Sequence, residues 1–189
     1  MTRQITPPLV AGGLLAILTL LMAGLGLASL NAGARKANLL PFTFNWTEDE
    51  RARAILEVSH GPVALADAEA GVRRALAQSP YNNVARMRLV YVLSLRAGGF
   101  PLEAQRLFEQ SYDLAPYDPA VAEWRTTFAL DHWAALPSST QSAVRDEVSA
   151  FKSVGRRSID MRRALRAVSA PEGGLVATLW LLRFYGSPS

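Results

Sequence analysis

The sequence predicts an all-α fold: a single N-terminal transmembrane helix, then a short solenoid of antiparallel helix pairs. Three observations predict it. Residues 9–30 read LVAGGLLAILTLLMAGLGLASL, without a charge. From residue 47 onward, apolar residues recur at 3.6-residue spacing in stretches cut by Gly and Pro. Two of those stretches also end alike, in SPYNN and APYDP, with their prolines 36 residues apart.

The chain has 189 residues, enough for one modest domain and an appendage. Half of it is hydrophobic, and the mean hydropathy is +0.10. The surplus comes from the N-terminal run. Cysteine is absent, which excludes disulfides, thiolate zinc sites and thiol catalysis. Eighteen of the 20 basic residues are arginine, the usage of a GC-rich bacterial genome.

Residues 1–31 are read as a tail and membrane helix. As a helix, Leu9–Leu30 spans about 33 Å, close to one hydrocarbon core. Pro7 and Pro8 suit its entry, where a missing N–H costs little. Gly12 with Ala16, and Gly24 with Ala28, are small-residue pairs that permit close helix packing in lipid. Ala32-Gly33-Ala34 offers an alternative, a signal-peptide cleavage site that would release the domain into the periplasm. The apolar run exceeds the usual signal core, so a retained anchor is expected. The favoured topology is single-pass in a bacterial inner membrane, with the C-terminal domain periplasmic. Residues 32–46 form a connector ending in the apolar LPFTFNW.

A helical domain is expected over residues 47–170. Thr47 and Glu50 form a capping box for the first helix, whose apolar stripe is Ala52, Ile55 and Leu56. Gly61-Pro62 ends it. The next helix covers about 63–78, with Leu65, Ala68, Val72 and Leu76 at helical spacing. Two further runs flank Gly98-Gly99. One carries Val84, Met87, Val90, Tyr91 and Leu95; the other carries Leu102, Leu107, Phe108 and Leu114. A third pair starts with Asp118 as N-cap and Pro119 at the first position, and runs to Ala135. Ser138 with Gln141 is a second capping box, opening a helix to about Ser153 lined by Val144, Val148 and Phe151.

The repeat has an inner pattern. Ala68 aligns with Ala104, and Ala75 with Ser111, twelve and five residues before Pro80 and Pro116. Small residues let helices approach, and proline forces the chain out of the helix. The pattern over residues 62–135 resembles the tetratricopeptide repeat family, whose period is 34. The offset here is two residues longer, and Val90, Tyr91 and Val92 stand where the family's first helix has a small residue. The resemblance implies a right-handed stack with a concave groove that binds peptides or helices. On that implication Arg86, Arg88, Tyr91 and Arg125 contribute to the groove.

Charge is polarised along the domain. Residues 37–150 carry ten Arg and fourteen acids; residues 151–189 carry seven bases and two acids. Arg156, Arg162, Arg163 and Arg166 fall within one arc of about 120° on a helix whose other face holds Met161, Ala164, Leu165 and Val168. Such a basic face suits an acidic protein surface, anionic lipid or an anionic polymer. Nucleic acid is not expected, since no recognition motif accompanies the arginines.

Residues 171–189 form the tail. Leu175–Tyr185 is too short to span a bilayer and too apolar to stand alone. It is expected to cap the solenoid, with docking through Trp180, Phe184 and Tyr185 as the alternative. No catalytic, metal or cofactor constellation is apparent: the two histidines, His60 and His132, have no clustered partners, and Gly98-Gly99 is a turn without a phosphate-loop lysine. The expected role is therefore a non-enzymatic, membrane-anchored interaction or scaffold subunit of a bacterial envelope complex, such as one for polysaccharide synthesis or export. Its partners would be other membrane or periplasmic proteins.

Overall fold

In the computed structural model, residues 52–57 and 61–186 are described, and these are helices joined by turns. The membrane helix, its Gly12, Ala16, Gly24 and Ala28, the connector and the Thr47 capping box lie outside the described residues. Among the described residues no helix is long and apolar enough to cross a membrane.

Residues 52–57 are helical and place Ala52 and Leu56 in the core. Helix α1 is Pro62–Gln78, with proline in its first turn and Leu65, Ala68, Val72 and Ala75 buried. It ends at Ser79, as Pro80 requires. Helix α2 is Asn83–Ala97. The Asn82 side chain accepts from the Ala85 N–H at 3.0 Å and caps it. Gly98 closes it in the left-handed region, at φ 62°, which glycine adopts without strain. Helix α3 is Leu102–Leu114, burying Ala104, Phe108, Ser111 and Tyr112. The four small residues of the repeat, Ala68, Ala75, Ala104 and Ser111, are all fully buried.

Helices α1, α2 and α3 pack consecutively, with α2 in the middle. A helix between two neighbours needs more than one apolar stripe. Ala85, Leu89, Val92 and Leu93 are buried beside Met87 and Val90, while Val84 and Leu95 stay at the surface. On the outside, Arg73 donates to Glu69 and Glu103, and Arg96 donates to Glu69, so one ionic chain crosses all three helices.

Helix α4 is Ala122–Asp131, shorter than expected at both ends. Asp118 is engaged across the fold, its Oδ2 accepting from Asn83 Nδ2 at 3.2 Å. Its Oδ1 accepts from Ala120 N and its carbonyl from Val121 N, which makes a turn before the helix proper. At the far end the chain tightens at His132 into a 3₁₀ turn, Trp133–Ala135. Helix α5 is Ser138–Phe151. Its expected capping box does not form: Pro137 is the N-cap, and Gln141 Nε2 donates back to the Trp133 carbonyl at 2.9 Å.

Helix α6 is Gly155–Arg166 and helix α7 is Pro171–Tyr185. The tail helix starts four residues earlier than its apolar run, because Pro171 takes the first helical position. Both α6 and α7 lie on α4, and α5 bridges back to α3. The second half is thus a cluster around α4 rather than another consecutive pair. Thr127 Oγ1 donates to the Ala164 carbonyl at 3.2 Å, joining α4 to α6. Gly173 brings α7 against the α4 backbone: a Cβ built there would lie 1.9 Å from the Leu130 carbonyl oxygen. One hydrophobic cluster runs from Ala52 to Leu181.

Candidate binding groove

Val84 and Leu95, the exposed apolar residues of α2, lie on the same face of the helix. Val84, Met87, Arg88, Tyr91, Ser94 and Leu95 follow one face of the helix at helical spacing. Opposite them, α4 and the turn before it present Val121, Trp124, Thr127, Phe128 and Asp131, with His132 beyond. Between the two walls lie two hollows of about 530 and 430 Å³ that share Tyr91 and Trp124. Arg53, Leu56 and Glu57 close one end, and Gly98-Gly99 closes the other. From Val84 to Leu95 the α2 wall is about 17 Å long, three turns of a guest helix.

The α4 wall is an aromatic ladder. Trp124 stacks on Phe128 at 4.8 Å between ring centroids, and Phe128 on His132 at 4.3 Å. Tyr91 meets Trp124 edge-on at 6.0 Å across the groove. His132 Nδ1 donates to the Phe128 carbonyl at 3.0 Å, which fixes the ring. Asp131 is also committed, its Oδ1 accepting from Ser169 N, Ser169 Oγ and Ala170 N. Arg53 and Glu57 pair at 3.3 Å at the mouth. The lining is mostly apolar and aromatic, with Arg88, Ser94 and Thr127 along the walls and charged groups at the ends, a make-up suited to binding by burial.

The predicted groove residues divide. Arg88 and Tyr91 line it, and burial lowers the pKa of Arg88. Arg86 does not line it. It sits on the opposite side of α2, is 7% exposed, and Nη2 donates to the Pro80 carbonyl at 2.6 Å. Arg125 is a correction. It has no exposed surface, so it offers nothing to a partner.

Arg125 instead joins three helices. Nη1 donates to the carbonyls of Ser111 and Ala115 at 3.0 and 3.1 Å, and Nη2 to that of Pro116 at 2.8 Å. The carbonyls of Ala115 and Pro116 lie just beyond the end of α3, where the helix supplies no donor, while that of Ser111 also accepts from Ala115 N at 3.2 Å. Glu147 of α5 takes Nε at 3.2 Å and pairs with Nη2. The Tyr112 ring lies 3.7 Å from the guanidinium, and its hydroxyl donates to Glu147 at 3.0 Å.

Burial pushes the Glu147 carboxyl up to about 7, against the pull of Arg125 and the Tyr112 hydroxyl. The folded state then holds this proton more tightly than the unfolded chain. Its stabilising contribution is complete below the ordinary carboxylate range and is lost as pH rises through about 7. Relative to Glu147→Gln, wild-type stability should fall as pH rises from about 5 to 8, measured by urea denaturation at several pH values. Parallel curves for the two proteins would refute the assignment.

The basic helix is only partly free for partners. Arg163 pairs with Asp160 at 3.3 Å and Glu123 at 3.9 Å. Arg162 lies 5.6 Å from the Tyr185 ring, which brings the two predicted clusters together. Arg156 and Arg166 are exposed. Trp180 is buried against Trp133 at 5.4 Å, so it belongs to the core, while Phe184 and Tyr185 are half-buried.

Trp124, Val84 and Leu95 were the groove residues not singled out as such. Their signal was present: they are apolar positions left over once each helix has turned its inner face to the core. Among the described residues no group of three or more His, Asp or Glu is placed to hold a metal. Compared with protein-family models, curated proteins and solved structures, the chain finds no match.

Proposed function

We propose that the domain is a non-enzymatic binding module, held at a bacterial inner membrane by residues 9–30, whose α2/α4 groove takes an amphipathic helix from another envelope protein. The observation that supports it most is the groove itself. Val84 and Leu95 are 36% and 37% exposed on one wall, and the aromatic ladder forms the other. The groove suits an apolar face with anchors at i, i+4 and i+7. Confinement by a membrane anchor raises the effective concentration of partners in the same membrane, so modest affinity suffices. A scaffold role in polysaccharide synthesis or export machinery is the setting proposed for such a module.

The test uses charges placed on the groove wall. Val84→Glu with Leu95→Glu should leave the unfolding midpoint nearly unchanged, because surface substitutions cost about 0.5 kcal/mol or less. Both should abolish recovery of a stoichiometric companion from gently solubilised membranes. A companion retained by the double variant, or none recovered with wild type, sinks the reading.

A further inference from the structure

Helix α7 has two apolar faces, and the core explains only one. Gly173, Ala177, Trp180 and Leu181 are buried toward the rest of the domain. On the opposite side Leu175, Leu179 and Leu182 are 71%, 63% and 49% exposed. Their i, i+4, i+7 spacing puts them on one line along the helix. An outward leucine line costs solubility and does nothing for folding, so it calls for an occupant.

The charges around it indicate which. Lys152 Nζ lies 5.5 Å from the Phe184 ring and the Arg183 guanidinium 5.7 Å from it. The Arg162 guanidinium lies 5.6 Å from the Tyr185 ring. Three cations from three parts of the chain thus meet two half-buried aromatics at the C-terminal end of α7. The acids nearby are few. Asp160 is buried and bonded to Arg163, and Glu172 sits in the first turn of α7, at the other end of the leucine line. Phe184 lies on the core side with Trp180, while Arg183 on one flank and Tyr185 with Arg162 on the other border the leucine line, the chemistry of a helix lying in a membrane interface.

We propose that the outer face of α7 docks on an anionic lipid bilayer, with Leu175, Leu179 and Leu182 entering the headgroup region and Arg162 and Arg183, on either flank of that line, facing the lipid phosphates. The bilayer is also within reach. This clause rests on the anchor in the proposed function: the 21 residues from 31 to 51 extend at most about 75 Å, so the domain stays near the membrane.

The test uses the full chain, which has no native cysteine, so a single introduced thiol is unique. Leu179→Cys and Tyr81→Cys are each labelled with an environment-sensitive fluorophore and mixed with vesicles carrying nitroxide-labelled lipid. In vesicles with about one-third phosphatidylglycerol, the label at 179 should be quenched and the label at 81 should not. Arg162→Gln with Arg183→Gln, or purely zwitterionic vesicles, should reverse the quenching at 179. Vesicle flotation in zwitterionic lipid reports the anchor separately, so the two readings fail independently. A water-exposed label at 179 in anionic vesicles overturns the proposal. So does shielding that ignores lipid charge, or that follows protein concentration without vesicles, which would identify a protein occupant.

Discussion

Replacing Arg125 with leucine is expected to lower the unfolding free energy by about 3–5 kcal/mol, the loss seen when one partner of a buried ion pair is removed. Leucine fills much of the volume, so the loss reports charge and hydrogen bonding more than a cavity. The carbonyls of Ala115 and Pro116, just beyond α3, lose this donor, Ser111 is left with the Ala115 N–H and Asn83, and Glu147 is left with the Tyr112 hydroxyl alone. The variant also has a pH signature. Without the guanidinium, Glu147 keeps its proton to higher pH than in wild type, so the stability gap widens above about pH 7. Adding Glu147→Leu should recover part of the loss, because no carboxylate is then left buried alone. Urea midpoints for the two single variants and the double variant settle it. An Arg125→Leu protein as stable as wild type would mean the network contributes nothing.

Gly173→Val is the second large effect. Its Cβ would lie 1.9 Å from the Leu130 carbonyl oxygen and 2.5 Å from the carbonyl carbon, and both are backbone atoms that cannot rotate away. Helix α7 must therefore lift from α4, at a cost of about 3 kcal/mol. Lifting also separates Trp180 from Trp133, so the tryptophan emission should shift before global unfolding. The neighbouring Gly174 provides the control. A Cβ there meets nothing within 4 Å, so Gly174→Ala should be neutral or stabilising by up to about 1 kcal/mol. Equal midpoints for Gly173→Val and wild type would rule out the close crossing.

The helices were legible because their punctuation is strong. Pro62, Pro80, Gly98, Pro116 and Pro171 sit at or within three residues of helix ends, and the apolar periodicity fills the spaces between. The small-residue pattern also read correctly as a packing signal, since Ala68, Ala75, Ala104 and Ser111 are all buried. What the sequence hid was which helices meet. Nothing local says that α6 and α7 return to α4, and Gly173 reads as a turn residue until Leu130 is placed beside it. The groove was half legible. Family resemblance placed Arg86, Arg88, Tyr91 and Arg125 together in a groove; Arg88 and Tyr91 line the hollow between α2 and α4, while Arg86 and Arg125 are buried away from it. One clue to the burial of Arg125 was available. Glu147 lies at helical spacing with Val144, Val148 and Phe151, and a carboxylate within a buried stripe demands a buried cation.

The arginine clasp at the end of α3 also bears on how a guest would enter the groove. One wall belongs to α2 and the other to α4, and the connection between them runs through α3. Arg125 fixes the end of α3 to α4, and Arg86 of α2 holds the Pro80 carbonyl after α1 in a similar way. The spacing of the walls is then set before any ligand arrives. A preformed slot spares the bound state the entropy of ordering its own backbone, so affinity gained from a few aromatic contacts is not spent on closure. Loosening the clasp should therefore weaken guest binding from a distance, mainly through faster dissociation, although Arg125 never touches the guest.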